Sequence, residues 1–228
     1  MLSDTARSFP AFVNLVEAVP LVTGFSIFRG QGVQQNLLPG IARKDPETDT
    51  LTLEKLMLSQ LSLLGASMLH ANASTLDQLV AAQHFGMKTR LLDWTSNPLA
   101  ALWFACTARE AGDVYVYCLP TDGMMLHDAY MTDPFDVNST KVFQPRLNNP
   151  RVLAQHGWFT LHAFSPRNSR WVRLETHETA KSGLWEITIP ASCRAEMIRS
   201  LDRHGASAKT LFPDLSGVCQ YLNWQHAA

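Results

Sequence analysis

Residues 98–106 read PLAALWFAC, a run without a single charged side chain. Asn97 and Pro98 fit an N-cap and a first helical residue, so the run predicts a helix, PLAALWFACTARE, that ends before Gly112. A helix apolar almost all round must be buried on most of its faces. The rest of the chain must therefore supply layers that enclose it. Its 228 residues are somewhat long for one domain and short for two, and they suffice to bury a sizeable core.

The enclosing elements are legible as short strands. In GFSIFRGQ, Phe25, Ile27 and Arg29 alternate with Ser26 and Phe28 before Gly30 and Gly32 close the segment. DVYVYCLP is a second alternating, β-branched and aromatic strand, and GLWEITIP reads as another. VLAQHGWFTLHAF reads as a strand around Gly157, with Gln155 and Gly157 on one face. MKTRLLDWT is strand or extended loop. Leu99, Leu102, Trp103 and Cys106 share a helical face, which predicts packing under the sheet that holds GFSIFR and DVYVYC.

Helices account for much of the remainder. FPAFVNLVEAV has helical spacing, and residues 51–69 form an amphipathic pattern of Leu, Met and Ala. Ser74 or Thr75 caps a helix through LDQLVAAQHF that stops at Gly86. Pro190 opens a last helical region broken near Gly205 and Pro213. Residues 120–150 carry no periodicity and read as a candidate substrate-facing flap. Helices between non-adjacent strands give an α+β class in a single domain, residues 1–228.

Formal net charge is −1, without the basic surplus that duplex backbone contacts require. No stretch approaches 18 uncharged apolar residues, so no membrane span is expected. MLSDTARSFP has no basic start followed by an apolar run, which argues against a signal peptide. The four cysteines, Cys106, Cys118, Cys193 and Cys219, show no C-x-x-C spacing and read as reduced thiols of a cytoplasmic protein.

Chemistry-bearing residues gather in three places. The densest is residues 83–105, where Gln83 and His84 end a helix and Arg90, Asp93, Thr95, Ser96 and Asn97 precede the apolar helix. Polar groups in such a junction need partners. They either pair internally, Asp93 with Arg90 and Thr95 or Asn97 as helix cap, or they face an anionic ligand at the helix N-terminus. The second place is FRGQ. There Arg29 either forks onto a phosphate or takes a salt bridge, and Gly30 and Gly32 allow close approach to the backbone. The third is NPRVLAQHGWF, with Arg151, Gln155 and His156. His127, His162, His177 and His226 have no neighbouring motif and are expected on the surface. Nucleotide-loop, nucleophile-elbow and zinc-site signatures are absent from the sequence, so no metal is expected.

The order IFRGQ, LLPGIAR, AAQHFGMKTRLLDWTSNPLAALWFA, NPRVLAQHGWFTLH and TLFPDLSGVCQYL resembles the FRG-domain family over about Phe25 to Tyr221. That family is distantly similar to ADP-ribosyltransferases. The resemblance implies a split mixed sheet core of that kind, with N-terminal helices packed around it. It also implies NAD as substrate and a macromolecular acceptor, protein or nucleic acid, with a toxin or defence role as a context. By motif order, Arg29, Gly30, Gln83, Thr95 and Ser96 would hold NAD or a related nucleotide. His84, Asp93 and Gln155 would be catalytic. Transferases of this kind use a glutamate where Gln155 stands here, so the resemblance equally fits a non-catalytic nucleotide- or protein-binding module. On either reading Arg29, His84, Asp93 and Thr95 should line one pocket.

Overall fold

A computed structural model describes residues 1–19, 25–70, 72–147 and 149–227 of the chain. In chain order its elements begin with β1 (Leu2–Thr5), α1 (Phe9–Glu17), β2 (Ser26–Gln31), α2 (Leu51–Leu64) and α3 (Thr75–His84). The middle holds β3 (Leu91–Thr95), α4 (Pro98–Cys106), β4 (Val114–Pro120), β5 (Lys141–Phe143), α5 (Pro150–Ala154) and β6 (Gly157–Leu161). It closes with β7 (Phe164–Ser165), β8 (Arg170–Trp171), β9 (Trp185–Ile189), α6 (Arg194–Arg203), α7 (Ala208–Leu211) and α8 (Leu215–Gln225). The architecture is α+β around a mixed sheet ordered β1-β9-β4-β2-β3-β6-β5, and β7 and β8 form a separate ribbon. β1 runs parallel to β9, and the other neighbours pair antiparallel. Among the described residues no helix is long and apolar enough to cross a membrane. Gly24, expected at the start of β2, lies outside the described residues.

The period-2 alternation of β4 divides the core. Val114, Val116 and Cys118 pack with α4, Phe12, Ile187 and Leu201 on one side of the sheet. Tyr117 and Leu119 pack with Ile27, Trp94 and Leu184 on the other. α4 is enclosed as its composition demands: Ala100, Ala101, Leu102, Trp103, Ala105 and Cys106 are all buried. Leu102 is fully buried, which contributes about 1.5–3 kcal/mol relative to exposure. The helix stops at Cys106 rather than running to Glu110, with Thr107 as its C-cap.

Three expectations are corrected. α2 ends at Leu64 before Gly65 and buries only Glu54 and Leu58, so the pattern expected to 69 is a shorter helix with Leu53, Leu56, Leu63 and Leu64 exposed. The strand expected around Gly157 begins only there. Pro150–Ala154 is one helical turn capped by Asn149, and His156 at φ 50° turns the chain into β6. His162 is fully buried, its Nε2 3.0 Å from Thr160 Oγ1, instead of lying on the surface.

The sheet has a seam. β2 pairs with β4 along its whole length but meets β3 at one position, Phe28 opposite Thr95. β3 in turn pairs fully with β6. Past Phe28 the two central strands part, and their backbone groups need partners other than each other.

Candidate functional site

The parting of β2 and β3 opens a cavity of about 500 Å³. That is within the size range of small-molecule sites. Arg29, Gly30, Gln83, His84, Asp93, Thr95 and Gln155 all line it. The convergence expected from sequence is therefore what the fold produces, except that Ser96 is not among the lining residues. Phe28, Phe104, Trp158 and Phe212 supply apolar wall. None of the lining residues comes from 120–150, so that loop does not face the cavity; it carries β5 and a bridge from Met125 to Val142.

Arg29 spans the seam. Its Nη1 donates to the Asp93 carbonyl at 2.7 Å, a side chain replacing the missing ladder bond, and its Nε donates to Gln31 Oε1 at 3.2 Å. The Asp93 carboxylate stands 3.9 Å from Nη1. Burial lowers the Arg29 guanidinium to about 10, against the opposing pull of Asp93, and leaves it charged at neutral pH. Among the described residues Nη2 makes no hydrogen bond, which leaves one charged donor of this cavity-lining side chain for a ligand.

Asp93 comes from the middle of β3, and its side chain is 54% exposed. Gln83, on the last turn of α3, donates from Nε2 to Asp93 Oδ2 at 2.8 Å. His84 follows on the same turn. Burial and the Arg151 charge push its pKa below 6.5, while Asp93 opposes them, so the ring is neutral at pH 7. A neutral imidazole can accept a proton and an ionised carboxylate can stabilise positive charge.

The remaining residues are committed to the fold. Thr95 donates its one hydroxyl proton to the Gln155 carbonyl at 2.6 Å and accepts from the Asn97 N–H at 2.9 Å. The Gln155 side chain donates to the Leu211 carbonyl at 3.1 Å. The start of α4 is closed to an anion: Asn97 Oδ1 accepts from the N–H groups of Leu99 and Ala100, and the Asn97 carbonyl takes that of Ala101. The helix-terminus anion site expected from sequence is thus a self-capped end. Nor does Asp93 pair with Arg90, whose guanidinium belongs to Glu54.

A model of the FRG domain matches residues 25–113. This stretch of the chain is an FRG domain. No curated protein and no solved structure gives a significant match. The FRG domain match takes in Arg29, Gly30, Gln83, His84, Asp93 and Thr95, whereas Gln155 and Arg151 lie beyond it. The tripeptide that names the family has a physical logic here. Phe28 is buried with α4, Arg29 crosses the seam, and Gly30 sits against α4 again. A Cβ on Gly30 would collide with the Ala101 carbonyl oxygen and the Ala105 nitrogen, so the glycine is required by helix packing. Gly32 is less constrained, since a Cβ there would meet the Ala108 methyl and the movable Glu110 carboxylate rather than helix backbone.

Two further wall residues, Arg151 and Phe212, come from beyond the FRG match. Arg151 lines the cavity, is paired with Asp214 through Nε at 2.7 Å, and lies 5.3 Å from the Phe212 ring. Phe212 and Asp214 come from TLFPDL near the C-terminus, which folds back against α5.

Proposed function

We propose that the cavity binds NAD and that the FRG domain transfers its ADP-ribosyl group to a macromolecular acceptor. When nicotinamide departs with the electron pair of the glycosidic bond, positive charge develops at C1′ of the ribose. Asp93 is assigned to that charge, as a half-exposed carboxylate held by Gln83. Arg29 is assigned to the pyrophosphate through its unpaired Nη2 edge. His84, neutral at pH 7, takes the proton released when the acceptor nucleophile bonds to C1′. Gln155 has no part in this assignment, because its Nε2 is held by the Leu211 carbonyl and the side chain carries no charge.

The observation that carries the reading is the oriented Asp93 carboxylate beside a partly buried arginine inside a cavity of suitable size. A second reading, a nucleotide- or protein-binding module without catalysis, is favoured by the Thr95 hydroxyl and the α4 N-terminus, both already satisfied within the fold. Nicotinamide release from NAD separates the two. Transfer chemistry predicts that Asp93→Asn, which keeps shape and removes charge, lowers kcat by about 100-fold or more with NAD binding largely kept. Binding of NAD without release by the wild type would select the module.

A further inference from the structure

We propose that Thr89, a residue outside the cavity, is the positioning residue that sets the Gln83 amide and allows it to reverse when Asp93 takes up a proton. The catalytic meaning of this device rests on the reading above; its hydrogen-bond mechanics do not.

Thr89 is fully buried and does not line the cavity. Gly86, at φ 88°, turns the chain after α3 so that Thr89 returns beside Gln83. The Thr89 oxygen accepts from the Leu91 N–H at 3.1 Å. A backbone N–H can only donate, so the hydroxyl proton is free for Gln83 Oε1, which it meets at 2.8 Å. With its oxygen held there, Gln83 must present Nε2 to Asp93 Oδ2, also at 2.8 Å. Thr89 thereby decides which end of the amide faces the carboxylate.

A hydroxyl both donates and accepts, and this permits a second state. When Asp93 carries a proton, that O–H needs an acceptor. Rotation of the amide offers Oε1 to Asp93 and lets Nε2 donate to the Thr89 oxygen, which has a second lone pair. The Thr89 proton then loses its acceptor, so the arrangement with ionised Asp93 is the resting one. A valine at 89 keeps the volume and removes both roles, whereas serine keeps both.

The test follows the Gln83 side-chain amide by ¹H–¹⁵N NMR in the full chain, with its signals identified by their loss in Gln83→Leu. In the wild type and in Thr89→Ser the two amide protons should be well separated at neutral pH and should shift together as acid protonates carboxylates. In Thr89→Val they should move toward free-amide positions and lose that response. Identical amide behaviour in Thr89→Val and the wild type, or loss in both variants, would overturn the proposal, whatever the protein does with NAD. Where the wild type releases nicotinamide, Thr89→Val should lower kcat about 10–100-fold with KM within about twofold, and Thr89→Ser should restore it. An unchanged kcat in Thr89→Val would also overturn it. Intact NMR signatures in a wild type that neither binds nor cleaves NAD would uphold the amide device and retire the NAD reading alone.

Discussion

Arg90 and Arg29 each meet a carboxylate beside β3, in opposite surroundings. Arg90 and Glu54 are 3% and 0% exposed and 2.8 Å apart, and Glu54 also accepts the Arg90 backbone N–H. The Arg90 guanidinium donates further to the Pro134 carbonyl and lies 4.4 Å from the Phe135 ring. Both Glu54 oxygens are taken by Arg90, and the pair with its Pro134 contact ties α2 and the 131–140 segment to the strand. Arg29 and Asp93 are 3.9 Å apart, with Asp93 more than half exposed. One pair is closed and structural; the other is held in place yet open to a ligand. Charge pairing by itself does not mark a site. What marks it is pairing left incomplete beside a cavity.

The largest expected effect lies in the closed pair. Arg90→Ala leaves the Glu54 carboxylate buried without its partner and should cost about 3–5 kcal/mol by chemical denaturation. Arg29→Ala should cost far less, because Asp93 keeps solvent and Gln83. Equal losses in the two variants would erase the contrast.

Acid supplies the next effect, and it should also fall on the closed side. Burial lowers His162 to about 3, with the His177 charge adding to it. A depressed folded value means that the unfolded chain binds the proton first. The contribution is therefore fully present above about pH 6.5 and is lost as pH falls toward 3. At pH 5 this amounts to a loss of about 2 kcal/mol, and a His162→Asn variant should show a flatter profile. Parallel profiles for variant and wild type would show that His162 is not held neutral by burial.

Part of this was open to sequence reading. The apolar run at 98–106 required a buried helix, and the alternation in β2, β4 and β9 required strands, since both follow from local periodicity. Gln83, His84, Asp93 and Thr95 converge with Arg29 on one cavity, whereas Arg90, Ser96 and Asn97 from the same polar stretch do not line it. Partner choice was not legible. Nothing near Arg90 in sequence points to Glu54, 36 positions away. Gln155 looked like a strand residue because Gly157 and the aromatics after it are one, and the αL turn at His156 carries no local signature. β1 has four exposed residues and no alternation, so only its pairing with β9 defines it.

The central proposal is that Arg29, the cationic half of the open pair at the β2–β3 seam, holds the phosphates of NAD. It is tested most directly by calorimetry of the wild type, Arg29→Ala and the exposed control Arg199→Ala with NAD and with ADP-ribose. Arg199 makes only surface contacts with Glu196 on α6. Binding by the wild type, unchanged in Arg199→Ala and weakened in Arg29→Ala by about 1.5–3 kcal/mol per charged hydrogen bond lost, is the predicted result. No heat from the wild type with either ligand at millimolar concentration would contradict it.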